Sequence, residues 1–191
     1  MTVISWLAHG SKRALLLGCC GLVFLSPWAR SSDASLGEYR LKAAYLYRIS
    51  QFIEWPEAGK PEQAFNICVL GSDPFGESLR ELSTRTVASR PIALQYPATP
   101  REARACQIVY IDEAQKKALS DLAAVLGDLP VLVVGGSPQF IDQGGAIGFV
   151  VEAGKLRMEL NLDVLRRANL KPSAKLIEVA VRTVGSGRGR P

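Results

Sequence analysis

Residues 67–79 read ICVLGSDPFGESL: an apolar run, a turn bounded by Gly71 and Gly76, and the opening of a helix. Many α/β proteins hold phosphates at such junctions, where backbone N–H groups and the helix dipole face the anion. A P-loop needs Gly, four residues, then Gly-Lys-Ser/Thr, because the lysine neutralises the phosphates and the hydroxyl holds magnesium. Here Gly76 is followed by Glu77, which would repel them. A dinucleotide fingerprint needs a middle glycine so that the backbone can approach the pyrophosphate, and Asp73 stands there instead. The expected reading is therefore architectural. Gly71 ends a strand, Asp73 caps a helix, Pro74 takes its first position and Gly76 packs close.

The other reactive residue types are few. The one histidine is His9, in the expected leader, so the exported chain has no imidazole for a Ser-His-Asp or Cys-His mechanism or for a His-rich zinc site. Carboxylates such as Asp73 and Asp112 remain as candidate acids or bases, so an enzyme is disfavoured, and neither a catalytic residue, a metal nor a cofactor is assigned. Of four cysteines, Cys19 and Cys20 leave with the leader, and Cys68 and Cys106 stay. Two cysteines in an oxidising compartment point to one disulfide, with a pair of buried free thiols as the alternative.

Export is read from the first 34 residues. Lys12 and Arg13 precede the apolar run ALLLGCCGLVFL, and the helix-breaking SPWARSSDAS follows. That is the layout of a secretory signal peptide, with cleavage expected after Ala34. A permanent anchor helix and a lipoprotein modified at Cys19 are the alternatives. Removal of the leader leaves 20 basic against 17 acidic residues, and two of the basic ones, Arg188 and Arg190, lie in the tail at 185–191. The body is thus almost neutral, and no nucleic-acid partner is expected.

The elements that would position any site follow from hydrophobic period. Segment 36–55 reads as a helix stopped by Pro56, with Leu41, Ala44, Tyr45, Leu46, Ile49, Phe52 and Ile53 on a broad apolar arc. Its end is rich in aromatics, which makes Tyr47, Phe52 and Trp55 candidate partner-binding residues, with a place in the core and its rim as the alternative. Strands are expected at 65–71, 91–97, 106–111 and 130–136, alternating with helical segments at 74–85, 99–105 and 113–126. Such alternation indicates parallel strands with right-handed crossovers, and a sheet with the first strand between the second and third would make the strands of Cys68 and Cys106 neighbours. In 146–161 a hairpin turns at Ala153-Gly154, pairing Val151 with Leu156, Phe149 with Met158 and Ile147 with Leu160 on one buried face. Its second strand looks like a polar-faced sheet edge. Asn161 is expected to cap a helix that Asn169 ends in the left-handed conformation, and Ser173 to start a last helix over 174–184. The fold expected for 35–184 is a single-domain three-layer α/β/α sandwich with a mixed, mostly parallel sheet and a C-terminal antiparallel hairpin. In such folds small ligands bind at the carboxyl ends of the strands, here near Gly71, Ser72, Gly135, Gly136 and Ser137.

Four stretches in order, LKAAYLYRISQFIEWP, FNICVLGSDPFG, PVLVVGGSPQFIDQGGAIGFVVEAGKLRMELN and LDVLRRANLKPSAKLIEVA, make the chain resemble the YfiR family of periplasmic regulators, formerly a domain of unknown function. The resemblance covers about residues 36–184. It implies a non-enzymatic periplasmic protein that binds the periplasmic sensor part of an inner-membrane diguanylate cyclase and represses it, so lowering cyclic-di-GMP and biofilm formation. It also implies an outer-membrane lipoprotein that relieves the repression, and redox control through disulfides with Cys68 and Cys106 where a family pair is expected; apart from the resemblance, a homodimer is a further candidate assembly. Some relatives carry a further cysteine pair near the hairpin; this chain does not. Asn169 stands where relatives often have Gly. The competing function is a periplasmic small-ligand-binding protein using the strand-end crevice.

Overall fold

The computed structural model describes residues 30–56, 63–112 and 116–185, and no helix among them is long and apolar enough to cross a membrane. Most of the expected leader and tail lie outside these residues. Helix α1 (Arg30–Phe52) forms because Ala43, Leu46 and Ile49, three residues apart, make a stripe that is fully buried, continued by Ile53. It stops three residues earlier than the sequence suggests. Trp55 precedes Pro56 and is thereby biased away from helical backbone, and Ile53–Glu54 instead form a short strand, β1.

The central sheet has eight strands: β2 (Phe65–Leu70), β3 (Thr86–Val87), β4 (Arg90–Gln95), β5 (Ile108–Ile111), β6 (Leu132–Gly135), β7 (Ile147–Glu152), β8 (Lys155–Asn161) and β10 (Arg182–Val184). Their spatial order is β10-β8-β7-β6-β5-β2-β4-β3. The first long strand lies between the second and third, and β2, β4, β5, β6 and β7 run parallel. Alternate residues of these strands face two cores. Ile67, Val69, Ile108, Tyr110, Leu132 and Val134 pack beneath α1 together with α4 (Leu162–Arg167) and α5 (Ala174–Glu178). Cys68, Leu70, Val109, Ile111 and Val133 face α3 (Lys116–Leu126) on the other side. The three-layer α/β/α sandwich is therefore observed, with the antiparallel hairpin β7–β8 near its C-terminal end.

The hairpin register agrees pair by pair with the alternation of its side chains: Ile147↔Leu160, Phe149↔Met158 and Val151↔Leu156. Val151 nonetheless departs from the expected buried face, being 60% exposed, although its cross-strand partner Leu156 is buried. β8 is also not the sheet edge. β10 pairs parallel to it, Arg182 opposite Glu159, and the 3-residue strand β10 becomes the edge. The last helix is correspondingly short: α5 stops at Glu178, because the following Val179, Val181, Thr183 and Val184 are β-branched and fit a pleated strand better than a helix.

Three further local differences have clear causes. Asp73 does not cap a helix; its Oδ1 accepts from the backbone N–H of Phe75 at 2.8 Å and of Gly76 at 3.3 Å, closing a turn, and α2 (Glu77–Arg80) begins only after it. Gly76 is required for its φ of 55° and not for close packing, since a Cβ there would meet nothing within 4 Å. The hairpin β3–β4 was hidden because its turn residues, Ala88 and Ser89, adopt φ of 48° and 66° without being Gly or Asn.

Cys68 of β2 and Cys106, just ahead of β5, are bridged, with Cα atoms 6.1 Å apart. Both are buried in the core beneath α3. The register of β2 and β5 sets Val109 opposite Cys68, so it is the path of the chain from the turn at Glu102–Ala105 into β5 that carries Cys106 within the range a disulfide spans, on the sheet face that also holds Cys68.

Candidate functional site

The end of α1 is tied to the C-terminal third of the chain by a two-residue ribbon. Ile53 pairs with Pro172 and Glu54 with Lys171 of β9 (Lys171–Pro172), and Ser173 donates its N–H to the Phe52 carbonyl at 2.9 Å. Local sequence prepares both sides of this junction. Asn161 Oδ1 accepts from the N–H groups of Asp163 and Val164, each at 3.1 Å, starting α4. Asn169 then takes φ of 54°, and Leu170 donates back to the Leu165 carbonyl at 2.9 Å, the Schellman arrangement that ends a helix and turns the chain toward α1. Ser173 Oγ accepts from Leu176 N–H and starts α5.

These elements enclose a cavity of about 610 Å³. Trp55 and Pro56 form one wall, Leu162 and Arg166 of α4 a second, and Leu170, Pro172 and Ile177 the rest, with Glu54, Asn169 and Lys171 at the rim. The indole N–H of Trp55 donates to the Ser50 carbonyl at 3.2 Å and its ring stands against Phe65, so its position is set from two sides. Ile177 is 36% exposed although it lines the cavity. The rim is charged but paired: Lys171 meets Glu54 at 3.2 Å and Arg166 meets Asp163 at 2.6 Å. Both pairs are largely exposed and add little stability. The arrangement offers an apolar, aromatic-walled recess with cations and carboxylates around its mouth. That suits an inserted apolar group more than bond-making chemistry.

The three aromatic candidates at and beyond the end of α1 separate. Trp55 lines this cavity, Phe52 lies beneath the Lys175 ammonium at 5.7 Å on the other side of α5, and Tyr47 faces away, under the Arg85 guanidinium at 5.7 Å. At 100° per residue the five-residue step from Tyr47 to Phe52 already places them on different faces. Leu162, Arg166 and Ile177, which complete the site, carry no motif; the available signal was the run of apolar and β-branched residues after Ser173, too rich for a short exposed helix.

The strand-end residues lie elsewhere. Gly135 faces the Phe140 ring so closely that a Cβ would stand 2.3 Å from it, and Ser137 is buried with its carbonyl accepting from Phe140 N–H. Gly71, with φ of 97°, and the exposed Ser72 border a stack in which Phe75 sits between Tyr39 and Tyr110, at centroid distances of 5.5 and 4.7 Å. The Tyr39 hydroxyl donates to Asp112 at 3.2 Å across the same strand ends. None of Gly71, Ser72, Gly135, Gly136 and Ser137 lines the large cavity.

Arg182 forms a separate polar clamp. Its guanidinium holds Asp142 through two hydrogen bonds of 3.0 and 2.8 Å and Glu159 through two of 2.8 and 3.1 Å. Hydrogen bonding to Arg182 keeps the Asp142 carboxyl below the usual carboxylate range. The clamp fastens the edge strand β10 to β8 and to the loop before β7.

Two solved structures are similar to this chain, and the first of them shows the fold. A conserved domain protein from Vibrio cholerae O1 biovar El Tor strain N16961 is 10% identical with a TM-score of 0.50, over 74% of this chain and 60% of that one. The ABC domain from Streptococcus pneumonia solved in complex with L-Trp is 7% identical with a TM-score of 0.44, over 63% of this chain and 55% of that one. The chain thus spans little more than half the length of these structures. No curated protein matches it. The family described as YfiR/HmsC-like matches residues 39–181, and the chain belongs to that family, which is one of periplasmic, non-enzymatic regulators. The buried disulfide fits an oxidising compartment.

Proposed function

We propose that this member of the YfiR/HmsC-like family represses an inner-membrane diguanylate cyclase by binding its periplasmic sensor part, with the Trp55 cavity as the contact, and that an outer-membrane lipoprotein relieves the repression. The observation that carries this reading is the cavity itself: an aromatic-walled recess beside an exposed Ile177, in a family whose members act as regulators. Aromatic side chains in partly desolvated pockets supply most of the energy of protein interfaces. Repression then follows from differential affinity, since a protein that binds the inactive arrangement of its partner more tightly shifts the population toward it.

The test has two arms. Deleting the gene should raise cellular cyclic-di-GMP and biofilm formation, and re-expression of the unaltered protein should restore both. The variant Ile177→Asp should be folded, exported and unable to restore them. An unchanged cyclic-di-GMP level in a strain that normally makes the protein would remove the regulatory reading, and full restoration by Ile177→Asp would remove the cavity from it.

The volume of about 610 Å³ also lies within the range of small-ligand sites, which favours a second reading as a small-ligand-binding protein. Ligand-induced shifts in melting temperature that vanish in Ile177→Asp, without any effect of deletion on cyclic-di-GMP, would support it over the first.

A further inference from the structure

A second, smaller cavity of about 110 Å³ opens on the other side of α5, between that helix and α1. Ile49, Phe52, Met158 and Leu176 form its apolar interior, and Arg48 and Lys175 stand among its lining residues with no carboxylate. Neither cation makes an ion pair among the described residues, in contrast to Arg166, Lys171 and Arg182. The Lys175 ammonium is instead held 5.7 Å from the Phe52 ring centroid. The apolar surface continues outward: Val179, which also lines the cavity, is 54% exposed.

Size and charge together select the occupant. Sites for drug-sized molecules or cofactors occupy about 300–1,000 Å³, so this recess is too small for one and is suited to a single side chain. Its interior asks for an aliphatic group, and two unpaired cations beside it ask for carboxylates on the residues flanking that group. We propose that the cavity seats one aliphatic side chain of an acidic protein segment, whose neighbouring carboxylates meet Arg48 and Lys175. This rests on the reading that the chain acts by protein contact, and it adds a second contact, across α5 from Trp55, that selects for negative charge. Rim charges of this kind govern partner choice and association rate more than total affinity, so the contact would discriminate between similar apolar partners.

The probe is a set of short peptides titrated into the isotope-labelled exported protein and followed by backbone amide resonances. Asp-Glu-Leu-Glu-Asp should move the resonances of Phe52, Leu176 and Val179. It should bind about fivefold more tightly than Lys-Lys-Leu-Lys-Lys, the effect expected of two exposed ion pairs. Replacing its leucine by serine should weaken it by about tenfold, the effect of withdrawing one buried aliphatic group. The double variant Arg48→Glu with Lys175→Glu should reverse the preference toward the basic peptide, and Arg48→Gln and Lys175→Gln, milder changes at exposed positions, should each reduce it. Equal binding of all three peptides, shifts centred on Trp55 and Ile177 with Val179 unmoved, or a preference unaltered by the variants would overturn the proposal. Because the titration contains no cyclase, its failure is separate from failure of the repression reading, which is scored on cyclic-di-GMP in cells.

Discussion

The ring of Trp55 stands edge-on to that of Phe65, with centroids 5.1 Å apart and planes at 79°. Phe65 is the first residue of β2 and is buried at 1% exposure, so one face of the indole belongs to the core while another lines the large cavity. Trp55 is thus both packing and surface. Trp55→Ala should lower stability by about 1–3 kcal/mol, less than a fully buried tryptophan would, and should also weaken partner binding. Trp55→Phe, which keeps an aromatic edge against Phe65, should recover most of the stability. Denaturant unfolding of the two variants separates these contributions; equal stability of Trp55→Ala and the parent protein would show that the Phe65 contact contributes nothing.

Ile177 offers the cleaner probe of the cavity. It is partly exposed on a five-residue helix whose anchor to the core is Leu176, at 2% exposure. Ile177→Asp should therefore change stability by no more than about 0.5 kcal/mol while removing apolar contact at the cavity wall. Leu176→Ala should do the reverse, costing about 2–4 kcal/mol. Melting curves of both variants check the contrast.

The Cys68–Cys106 bridge joins residues 38 apart in sequence. In the chain-entropy treatment a loop of that size stabilises by about 4 kcal/mol. Unreduced, denatured protein freed of its leader should show no titratable thiol, and reduction should bring the unfolding midpoint down sharply. Because both cysteines are buried, reduction under native conditions should be slow and should accelerate with denaturant. Two thiols in the unreduced protein would contradict the bridge.

The Arg182 clamp predicts a pH dependence with a definite sign. The folded Asp142 carboxyl titrates below its unfolded value, which is about 3.9 for an aspartate. Its contribution is therefore fully present above the unfolded pKa and is lost as pH falls through the folded one. Asp142→Asn should flatten that part of the acid limb of the stability profile and leave the profile near neutrality parallel to that of the parent. An unchanged acid limb would show that the contact does not persist in solution.

The turn Ala88-Ser89 gives a prediction independent of function. Both residues have positive φ, a conformation unfavourable for side chains other than those of Gly, Asn and Asp. Ala88→Asn with Ser89→Gly supplies the preferred residues of a two-residue hairpin turn and should raise stability by about 1 kcal/mol or more. A lower melting temperature for that pair would mean the turn is not of this type in solution.

Much of this architecture is legible in the chain because its signals are local. The two-residue period of 147–160 determines which hairpin faces meet, since a slip by one residue would expose Ile147, Phe149 and Met158 together. Apolar runs such as Ile108–Ile111 announce strands covered on both faces, and Asn161, Asn169 and Ser173 mark helix ends through side-chain or backbone geometry that needs no distant partner. The tertiary structure decided what depends on residues far apart. Pairing with Lys171–Pro172 gave Ile53–Glu54 to a ribbon that outcompetes the last turn of α1, and pairing with β8 drew Arg182–Val184 out of a helix. The cavity was beyond local reading for the same reason: Trp55, Arg166 and Ile177 meet only after the chain has crossed the whole sheet and returned. Propensity and period act over a few residues, whereas the positions of a recess and its charged rim are set by how separate elements close on one another.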